Sequence, residues 1–274
     1  VCVVIPPWNF PCAILAGMTV AALVAGNTVV LKPSSDAPAV GRFFFEIMEE
    51  AGLPKGALNF VPGSGSTAGR AMVEHPKTRL IAFTGSKAVG LDIVENASKT
   101  MPGQIWIKRV IAEMGGKDFI IVDEDADLKE ALEGVIVSAF EFQGQKCSAA
   151  SRAYIPESLW PEVKDLLTSE MGRIKMGPVT DFRNFYTAVV DRAAFDSITE
   201  FIDYAKAADD AEIIIGGGYD DSVGYNIEPT VIHTSNPRFR TMEEEIFGPV
   251  LTIYVYPEGQ YDETLRLCDQ TSPY

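Results

Sequence analysis

The chain has 274 residues, of which 47% are hydrophobic, enough apolar material for one large core or two medium ones. Its formal net charge of −15 argues against a nucleic-acid partner, because phosphate binding needs basic surface. The four cysteines form no Cys-x-x-Cys pair, and no apolar stretch is long enough to span a membrane. We therefore expect reduced thiols, no membrane partner and a cytoplasmic location, or the mitochondrial matrix in a eukaryote.

The first half alternates short β-rich runs with amphipathic segments. We predict strands at 1–5, 28–31, 58–61 and 80–83, and helices at 11–25, 39–51, 68–74 and 86–99. Because the strands are apolar and alternate with helices, this half is predicted to be an α/β domain whose parallel sheet is covered on both faces.

The second half keeps the α/β character. Strands are predicted at 119–122, 153–155, 212–215, 231–233 and 250–256, with helices at 128–142, 158–173 and 193–208. A change in composition near Gly115-Gly116-Lys117 predicts two domains, 1–115 and 116–274. The chain opens inside an apolar run without Met, and residues 271–274 resemble a mid-protein loop, so we expect an internal fragment truncated at both ends.

Cys147 is the cysteine with the most suggestive surroundings. It follows an amphipathic helix, Gly144 loosens the backbone before it, and Lys146 adds positive charge beside it. Positive surroundings favour the thiolate, which is the nucleophilic form of the side chain. A buried structural thiol explains the local sequence equally well.

Glu113 is the second candidate for chemistry, because it lies between an apolar strand end and a Gly-Gly turn. A carboxylate there is expected to be partly desolvated, which suits a general base. A solvent-facing Glu at the end of a strand is the simpler alternative. His75 and His233 are interpreted as surface or structural residues, and no group of side chains has the spacing of metal ligands.

Two glycine-rich segments each join a strand to a helix. The segment 63–69 has the spacing G-x-G-x-x-x-G, one residue longer than a dinucleotide fingerprint. The segment 83–90 would place a pyrophosphate at a helix N-terminus, where free N–H groups and the helix dipole favour anions. Tight βα turns also use glycine for steric reasons alone.

Taken together, these segments resemble the aldehyde dehydrogenase superfamily along the whole chain. The motifs occur in the family's order: Pro7-Trp8-Asn9-Phe10, Val30-Leu31-Lys32-Pro33-Ser34, Phe83-Thr84-Gly85-Ser86 with Gly90, Glu113-Met114-Gly115-Gly116-Lys117, Gly144-Gln145-Lys146-Cys147 and Glu244-Glu245-Ile246-Phe247-Gly248-Pro249. The resemblance implies a Rossmann-type parallel-sheet cofactor domain followed by an α/β catalytic domain. It also implies an NAD(P)-dependent oxidation of a small-molecule aldehyde by a homo-oligomeric parent enzyme.

The resemblance assigns roles to individual residues. It implies that Cys147 is the nucleophile, that Glu113 is the general base and that Asn9 holds the oxyanion. The cofactor-binding residues that it implies are Pro7, Trp8, Lys32, Ser35, Gly85, Ser86, Gly90, Glu245 and Phe247.

The segments 105–117, 143–149 and 220–230 are similar to the branch of the superfamily that oxidises L-glutamate γ-semialdehyde. In that branch Ser148 would contact the α-carboxylate of the substrate, and Phe10 would line its aliphatic stem. Ser35 stands where many NAD-specific relatives have an acidic residue, so NADP stays possible beside NAD. The competing hypotheses are oxidation of another aldehyde, such as succinate semialdehyde, a catalytically incomplete fragment, and a non-catalytic scaffold.

Overall fold

The computed structural model describes residues 1–273. The chain divides into two compact units, which we call the first unit, Val1–Gly115, and the second unit, beginning at Gly116. Tyr274, the last residue of the predicted terminal loop, lies outside the described residues.

The first unit is built on a parallel sheet of five strands in the order β3-β2-β1-β4-β5. The strands are β1 (Cys2–Ile5), β2 (Val29–Leu31), β3 (Leu58–Phe60), β4 (Leu80–Thr84) and β5 (Arg109–Glu113). The order reverses direction between β1 and β4, the switch point at which doubly wound sheets bind ligands.

Helices cover both faces of this sheet. They are α1 (Ala13–Val24), α2 (Pro38–Glu50), α3 (Arg70–Glu74) and α4 (Lys87–Ser98). Alternate residues of β1 enter opposite cores: Val4 packs in the cluster that contains Leu15 of α1, and Val3 in the cluster that contains Ile93 of α4. Because both faces of β1 are buried, its sequence is continuously apolar rather than alternating.

The second unit contains a five-stranded sheet in the order β6-β7-β12-β11-β8, in which only β8 is antiparallel to its neighbour. The strands are β6 (Asp118–Ile121), β7 (Ala150–Pro156), β8 (Ala211–Ile215), β11 (Thr230–Thr234) and β12 (Val250–Tyr256). A short antiparallel pair, β9 (Tyr219–Asp220) and β10 (Asn226–Ile227), lies outside the main sheet.

Five helices accompany this sheet: α5 (Leu128–Phe140), α6 (Trp160–Met171), α7 (Arg192–Ala207), α8 (Arg240–Glu243) and α9 (Tyr261–Thr271). One core cluster joins the sheet to α5 and α6 through Leu132 and Val163, and a second joins it to α7 through Ile198 and Ile202. Both faces of the second sheet are therefore buried as well.

The predicted α/β fold, with a Rossmann-type parallel sheet followed by a second sheet, is confirmed. The strands predicted at 231–233 and 250–256 are present as β11 and β12. Two details differ from the prediction. No element was predicted after residue 256, but α9 occupies this segment and buries Thr264, Cys268 and Thr271 on one side. The helix predicted to reach residue 142 ends at Phe140, because the following residues adopt left-handed backbone angles. No helix among residues 1–273 is long and apolar enough to cross a membrane.

Candidate functional site

The motif residues of the first unit lie at one edge of its sheet. Asn9 follows β1, Lys32 follows β2, Ser86 follows β4 and Glu113 ends β5. The carboxyl ends of parallel strands meet at the same sheet edge, and open α/β sheets bind ligands there. The fold therefore brings these four residues to the edge expected of a ligand site.

Asn9 lies in the loop between β1 and α1. It is buried although its side chain is polar, while Pro7, Trp8 and Phe10 around it are half-buried. A buried amide needs hydrogen-bond partners, so a polar residue at this depth is held by its surroundings rather than by solvent. This is the kind of fixed donor that a site for a developing negative charge requires.

Lys32 is also buried, and its ammonium group donates to two backbone carbonyls, Pro33 O at 2.9 Å and Gly63 O at 3.1 Å. Burial lowers the pKa of Lys32, and the nearby Asp36 carboxylate opposes that effect. Ser35 is exposed, and Asp36 follows it with its carboxylate 3.2 Å from the Ser34 hydroxyl. The sequence interpretation noted the neutral Ser35 but missed the acidic group one residue further on.

A cavity of 320 Å³ opens between α3 and α4 in the first unit. Lys32 and the glycines Gly65 and Gly69 form one wall, and the apolar side chains of Val89 and Ile93 contribute to another. Its volume is typical of a small-molecule site. The glycine-rich segment 63–69 signalled this cavity in the sequence, although its spacing does not fit the standard fingerprint.

Ser86 caps the start of α4, where its hydroxyl accepts from Val89 N–H at 3.5 Å. The glycines beside it have steric roles: a Cβ at Gly85 would lie 2.6 Å from the Phe83 ring, and one at Gly90 would lie 2.6 Å from Met114 Sδ. The glycines thus allow α4 to pack closely on β4 and β5, which leaves the helix N-terminus at the sheet edge.

Of the two alternatives for Glu113, a partly desolvated carboxylate and a solvent-facing one, the structure has the solvent-facing one. The strand β5 lies at the edge of the sheet, and Arg109, Ile111 and Glu113 share its exposed face. The backbone of Glu113 contacts the glycine-rich segment 83–90, because its carbonyl accepts from Gly85 N–H at 3.1 Å.

The loop that carries Cys147 in the second unit has an unusual backbone. After α5 ends, Phe142, Gln143 and Gly144 adopt φ angles of 56°, 58° and 64°. Left-handed backbone costs a non-glycine residue about 1 kcal/mol, so the loop is held by its surroundings. A Cβ at Gly144 would lie 2.7 Å from Ala139 O and would overlap the carbonyl oxygen of Gly248, so only glycine fits.

Two buried glutamines hold this loop. The Gln143 amide donates to Ala188 O at 3.1 Å, and Val190 N–H donates to the Gln145 side chain at 3.2 Å. Cys147 is half-buried at the end of the loop. Ser148 beside it is exposed.

Lys146 was expected to add positive charge beside the thiol, but its charge is paired with a carboxylate. Its ammonium group donates to the Glu141 carboxylate at 2.7 Å, and Lys146 keeps only 14% of its side chain exposed. The positive charge is therefore paired within the same loop. The left-handed backbone and the glutamine contacts, rather than a free cation, distinguish the surroundings of Cys147.

Glu245 and Phe247 lie next to the Cys147 loop within the second unit. Gly116 N–H donates to Glu245 Oε1 at 3.1 Å, and a Cβ at Gly116 would lie 3.0 Å from Cys147 O. Phe247 has a φ of 56°, and Gly248 after it abuts Gly144. Burial raises the pKa of Glu245, while the Gly116 N–H bond opposes the shift. The Cys147 loop and the Glu245 segment are thus in direct contact.

The remaining candidates play structural parts. Cys2 and Cys268 are buried, and burial raises the pKa of each thiol, while Cys12 is exposed. His233 stacks on Trp160 at 4.9 Å between ring centroids, and burial lowers its pKa. Within residues 1–273 no three His, Cys, Asp or Glu side chains are grouped as metal ligands would be.

Comparison with known proteins identifies the family. The aldehyde dehydrogenase family matches residues 1–272. The 1-pyrroline-5-carboxylate dehydrogenase of Geobacillus sp. (strain WCH70) is 49% identical over 269 residues, which are 98% of this chain and 52% of that protein. The 1-pyrroline-5-carboxylate dehydrogenase 2 of Bacillus subtilis (strain 168) is 48% identical over 272 residues, 99% of this chain and 52% of that protein.

A solved structure agrees with these relatives. The crystal structure of 1-pyrroline-5-carboxylate dehydrogenase from Thermus with bound NAD superposes with a TM-score of 0.93 at 44% identity, covering 99% of this chain and 52% of that one. The chain spans about half the length of the curated relatives it matches. Fold, ordered motifs and relatives agree, and the chain belongs to the aldehyde dehydrogenase family.

Proposed function

We propose that the chain carries the cofactor-binding and thiol-bearing parts of an NAD-dependent dehydrogenase that oxidises L-glutamate γ-semialdehyde to L-glutamate. The observation that carries the proposal is the Cys147 loop, held in left-handed backbone against the Glu245 segment, in a chain 49% identical to a 1-pyrroline-5-carboxylate dehydrogenase. In this proposal 1–115 is the NAD-binding domain and 116–274 is the domain of the catalytic thiol.

The residues of the first unit fit a dinucleotide. The 320 Å³ cavity has apolar walls suited to a flat base, and the buried Lys32 ammonium lies on its wall beside carbonyls that it could exchange for ribose hydroxyls. Ser86, Gly85 and the N–H groups that start α4 suit a pyrophosphate. Pro7, Trp8 and Gly90 shape this edge, and Glu245 and Phe247 are assigned to the nicotinamide ribose and ring.

We assign NAD rather than NADP on charge. Asp36 places a carboxylate near Lys32, immediately after the neutral Ser35. A second negative charge brought by a 2′-phosphate would be repelled there. The NAD-bound structure of the Thermus relative supports the same choice.

The chemistry assigned to the chain begins with the thiolate of Cys147. Its sulfur forms a bond to the aldehyde carbon, and the carbonyl electron pair moves to oxygen. The Asn9 side-chain amide and the Cys147 backbone N–H donate to that oxyanion, and fixed donors of this kind contribute on the order of 3 kcal/mol each. NAD, when bound, would accept a hydride from the substrate carbon. Loss of that hydride would leave the substrate joined to Cys147 as a thioester.

Glu113 completes the reaction in this proposal. Its carboxylate takes a proton from water as the water oxygen attacks the thioester carbon, and the carbon–sulfur bond breaks to return the Cys147 thiolate and the acid. Exposure of Glu113 supports access to water. The exposed Ser148 hydroxyl is assigned to the substrate's α-carboxylate, and Phe10 to its aliphatic stem.

A substrate panel tests the proposal. The protein is given NAD with pyrroline-5-carboxylate, succinate semialdehyde or a simple alkyl aldehyde, and NADH formation is followed. We expect the highest kcat/KM for pyrroline-5-carboxylate. A higher value for succinate semialdehyde would overturn the substrate assignment. Absence of turnover with every aldehyde, together with absence of thiol-reactive labelling at Cys147, would favour the non-catalytic scaffold.

We also propose that the enzyme is a homo-oligomer. Ile105 and Ile107, before β5, are 82% and 88% exposed, and in this proposal a second copy of the chain covers them. Light scattering on the purified protein checks this, and a monomer at all concentrations would contradict it.

A further inference from the structure

Lys117 is a buried cation that the assigned chemistry does not use. Its side chain is 3% exposed, and among residues 1–273 no hydrogen-bond partner reaches its ammonium nitrogen. The other two buried lysines differ, because Lys32 and Lys108 each donate to two backbone carbonyls. An ammonium group without such partners loses its hydration on burial and must be stabilised by charge at longer range.

The backbone of Gly116 and Lys117 links three parts of the second unit. Gly116 N–H donates to Glu245 Oε1 at 3.1 Å, and Arg152 Nε donates to Lys117 O at 2.9 Å. Gly116 also lies against the carbonyl of Cys147. A displacement of this dipeptide would therefore move Glu245 and the nucleophile loop together.

The charges around Lys117 are unequal. Burial, followed by the Arg152 guanidinium, lowers the pKa of Lys117 to about 7, while Glu245 and Glu244 oppose the shift. Arg152 is itself buried and stacks over the Phe119 ring at 5.3 Å. The Glu245 and Glu244 carboxylates therefore favour the charged form of Lys117, which burial and Arg152 disfavour.

Glu245 depends on Lys117 in return. Burial raises the pKa of the Glu245 carboxyl and Asp118 adds to the rise, while Gly116 N–H and the Lys117 charge lower it. An ionised carboxylate is a stronger acceptor for a ribose hydroxyl than a neutral carboxyl group. The charge on Lys117 therefore favours the form of Glu245 that binds a ribose.

We propose that Lys117 is a positioning residue for the cofactor: its charge keeps Glu245 ionised, and its backbone, shared with Gly116, keeps Glu245 oriented toward the nicotinamide ribose. The proposal rests on the function proposed above, because that function makes Glu245 a ribose ligand. Lys117 itself contacts neither cofactor nor substrate in this assignment.

The test is the affinity of the protein for NAD as a function of pH, measured by calorimetry. Affinity should fall on the acid side as Glu245 becomes protonated. Removing the Lys117 charge leaves the effect of burial less opposed, so the Glu245 pKa rises. We call the pH range over which NAD affinity falls on the acid side the acid limb. It should move upward by about 1 pH unit in Lys117→Met, as expected for the loss of one nearby opposite charge.

Three variants make the result specific. Lys117→Arg keeps the charge, and the adjoining 320 Å³ cavity lined by Gly116, Lys117 and Arg152 offers room for the larger group, so its limb should stay near that of the wild type. Lys117→Gln is a second neutral variant in case Lys117→Met fails to fold, and it should show the same upward move. Lys175→Met removes an exposed lysine of the same unit and should change nothing.

Glu245→Gln separates the two proposals. If Glu245 is the ribose ligand, this variant binds NAD more weakly and loses the acid limb. An unchanged limb in Glu245→Gln would remove Glu245 from the cofactor site and overturn that part of the proposed function. Loss of the limb in Glu245→Gln, with no movement of it in either neutral Lys117 variant, would overturn the role of Lys117 alone.

Discussion

The two units place functional residues in different ways. In the first unit the candidates follow the ends of regular parallel strands, and within residues 1–115 only glycines adopt positive φ angles. In the second unit Phe142, Gln143 and Phe247 adopt left-handed backbone beside Cys147 and Glu245. A regular sheet edge suffices to present a binding surface, whereas a thiol at a defined position requires a loop forced away from relaxed geometry.

Buried charge follows the same division. The ammonium groups of Lys32 and Lys108 in the first unit are each solvated by two backbone carbonyls, with one carboxylate acting on each at longer range. Lys117 and Arg152 in the second unit share a network with Glu245. Substitutions in the first unit should therefore change one property at a time, and those in the second unit should change several.

The largest expected effect is in the second unit. Cys147→Ser should lower turnover of the aldehyde on the order of 10⁴-fold or more, because a hydroxyl is a far weaker nucleophile than a thiolate. NADH formation under saturating substrate measures it. Cys12→Ser, which removes the exposed thiol of the first unit, is the matched control and should keep full activity. Full activity in Cys147→Ser would eliminate the thiol mechanism.

Glu113→Gln tests a residue of the first unit by the same measurement of aldehyde turnover. Steady-state turnover should fall by about 10²- to 10⁴-fold, the usual contribution of a general base. Because Glu113 is exposed, the melting temperature should not change. Rapid mixing should still show an initial burst of NADH, since thioester formation precedes the step that needs Glu113. Disappearance of the burst would show that Glu113 acts earlier.

Gly144→Ala tests the strained loop directly. A Cβ there meets left-handed backbone and the carbonyls of Ala139 and Gly248, so unfolding free energy should drop by more than ~2 kcal/mol in urea denaturation. Gly134→Ala is its control, because nothing lies within 4 Å of a Cβ at that position of α5. That change should stabilise the helix by about 0.5–1 kcal/mol. Equal effects from the two changes would contradict the account of the loop.

The smallest effect is expected at the cofactor. Asp36→Asn should raise the ratio of kcat/KM for NADP to that for NAD about 5-fold, since one exposed charge near a phosphate contributes ~1 kcal/mol. Glu50→Gln neutralises an exposed carboxylate at the end of α2 and should leave the ratio unchanged. A ratio that stays constant in Asp36→Asn would place the carboxylate away from the 2′ position.

Much of the fold could be predicted from the sequence, because parallel strands that are buried on both faces have continuously apolar sequences. The runs at 1–5 and 80–83 correspond to β1 and β4, with boundaries within one residue. The helix α9 was missed because its sequence is mostly polar, with a single buried side spaced as Thr264, Cys268 and Thr271. Amphipathic spacing is weak when the buried residues are themselves small or polar.

The candidate site was less predictable. The order of motifs indicated Cys147 and Glu245, but their contact through Gly116 depends on a fold that joins residues 129 positions apart. Lys117 follows two glycines, and no sequence pattern predicted that its side chain would be buried. The sequence left a desolvated and a solvent-facing Glu113 as alternatives, and only the sheet order, with β5 at an edge, decides between them.

The two glutamine contacts of the Cys147 loop also bear on how the protein acquires its shape. Each joins residues 45 positions apart, so the loop cannot be fixed when α5 first forms. The entropy cost of closing a span of this length has to be met before the contact stabilises the chain. We therefore expect these contacts to form late in folding. Formation of α5 alone leaves both glutamine contacts unmade. The 188–190 segment therefore has to reach the loop before the position of Cys147 is fixed.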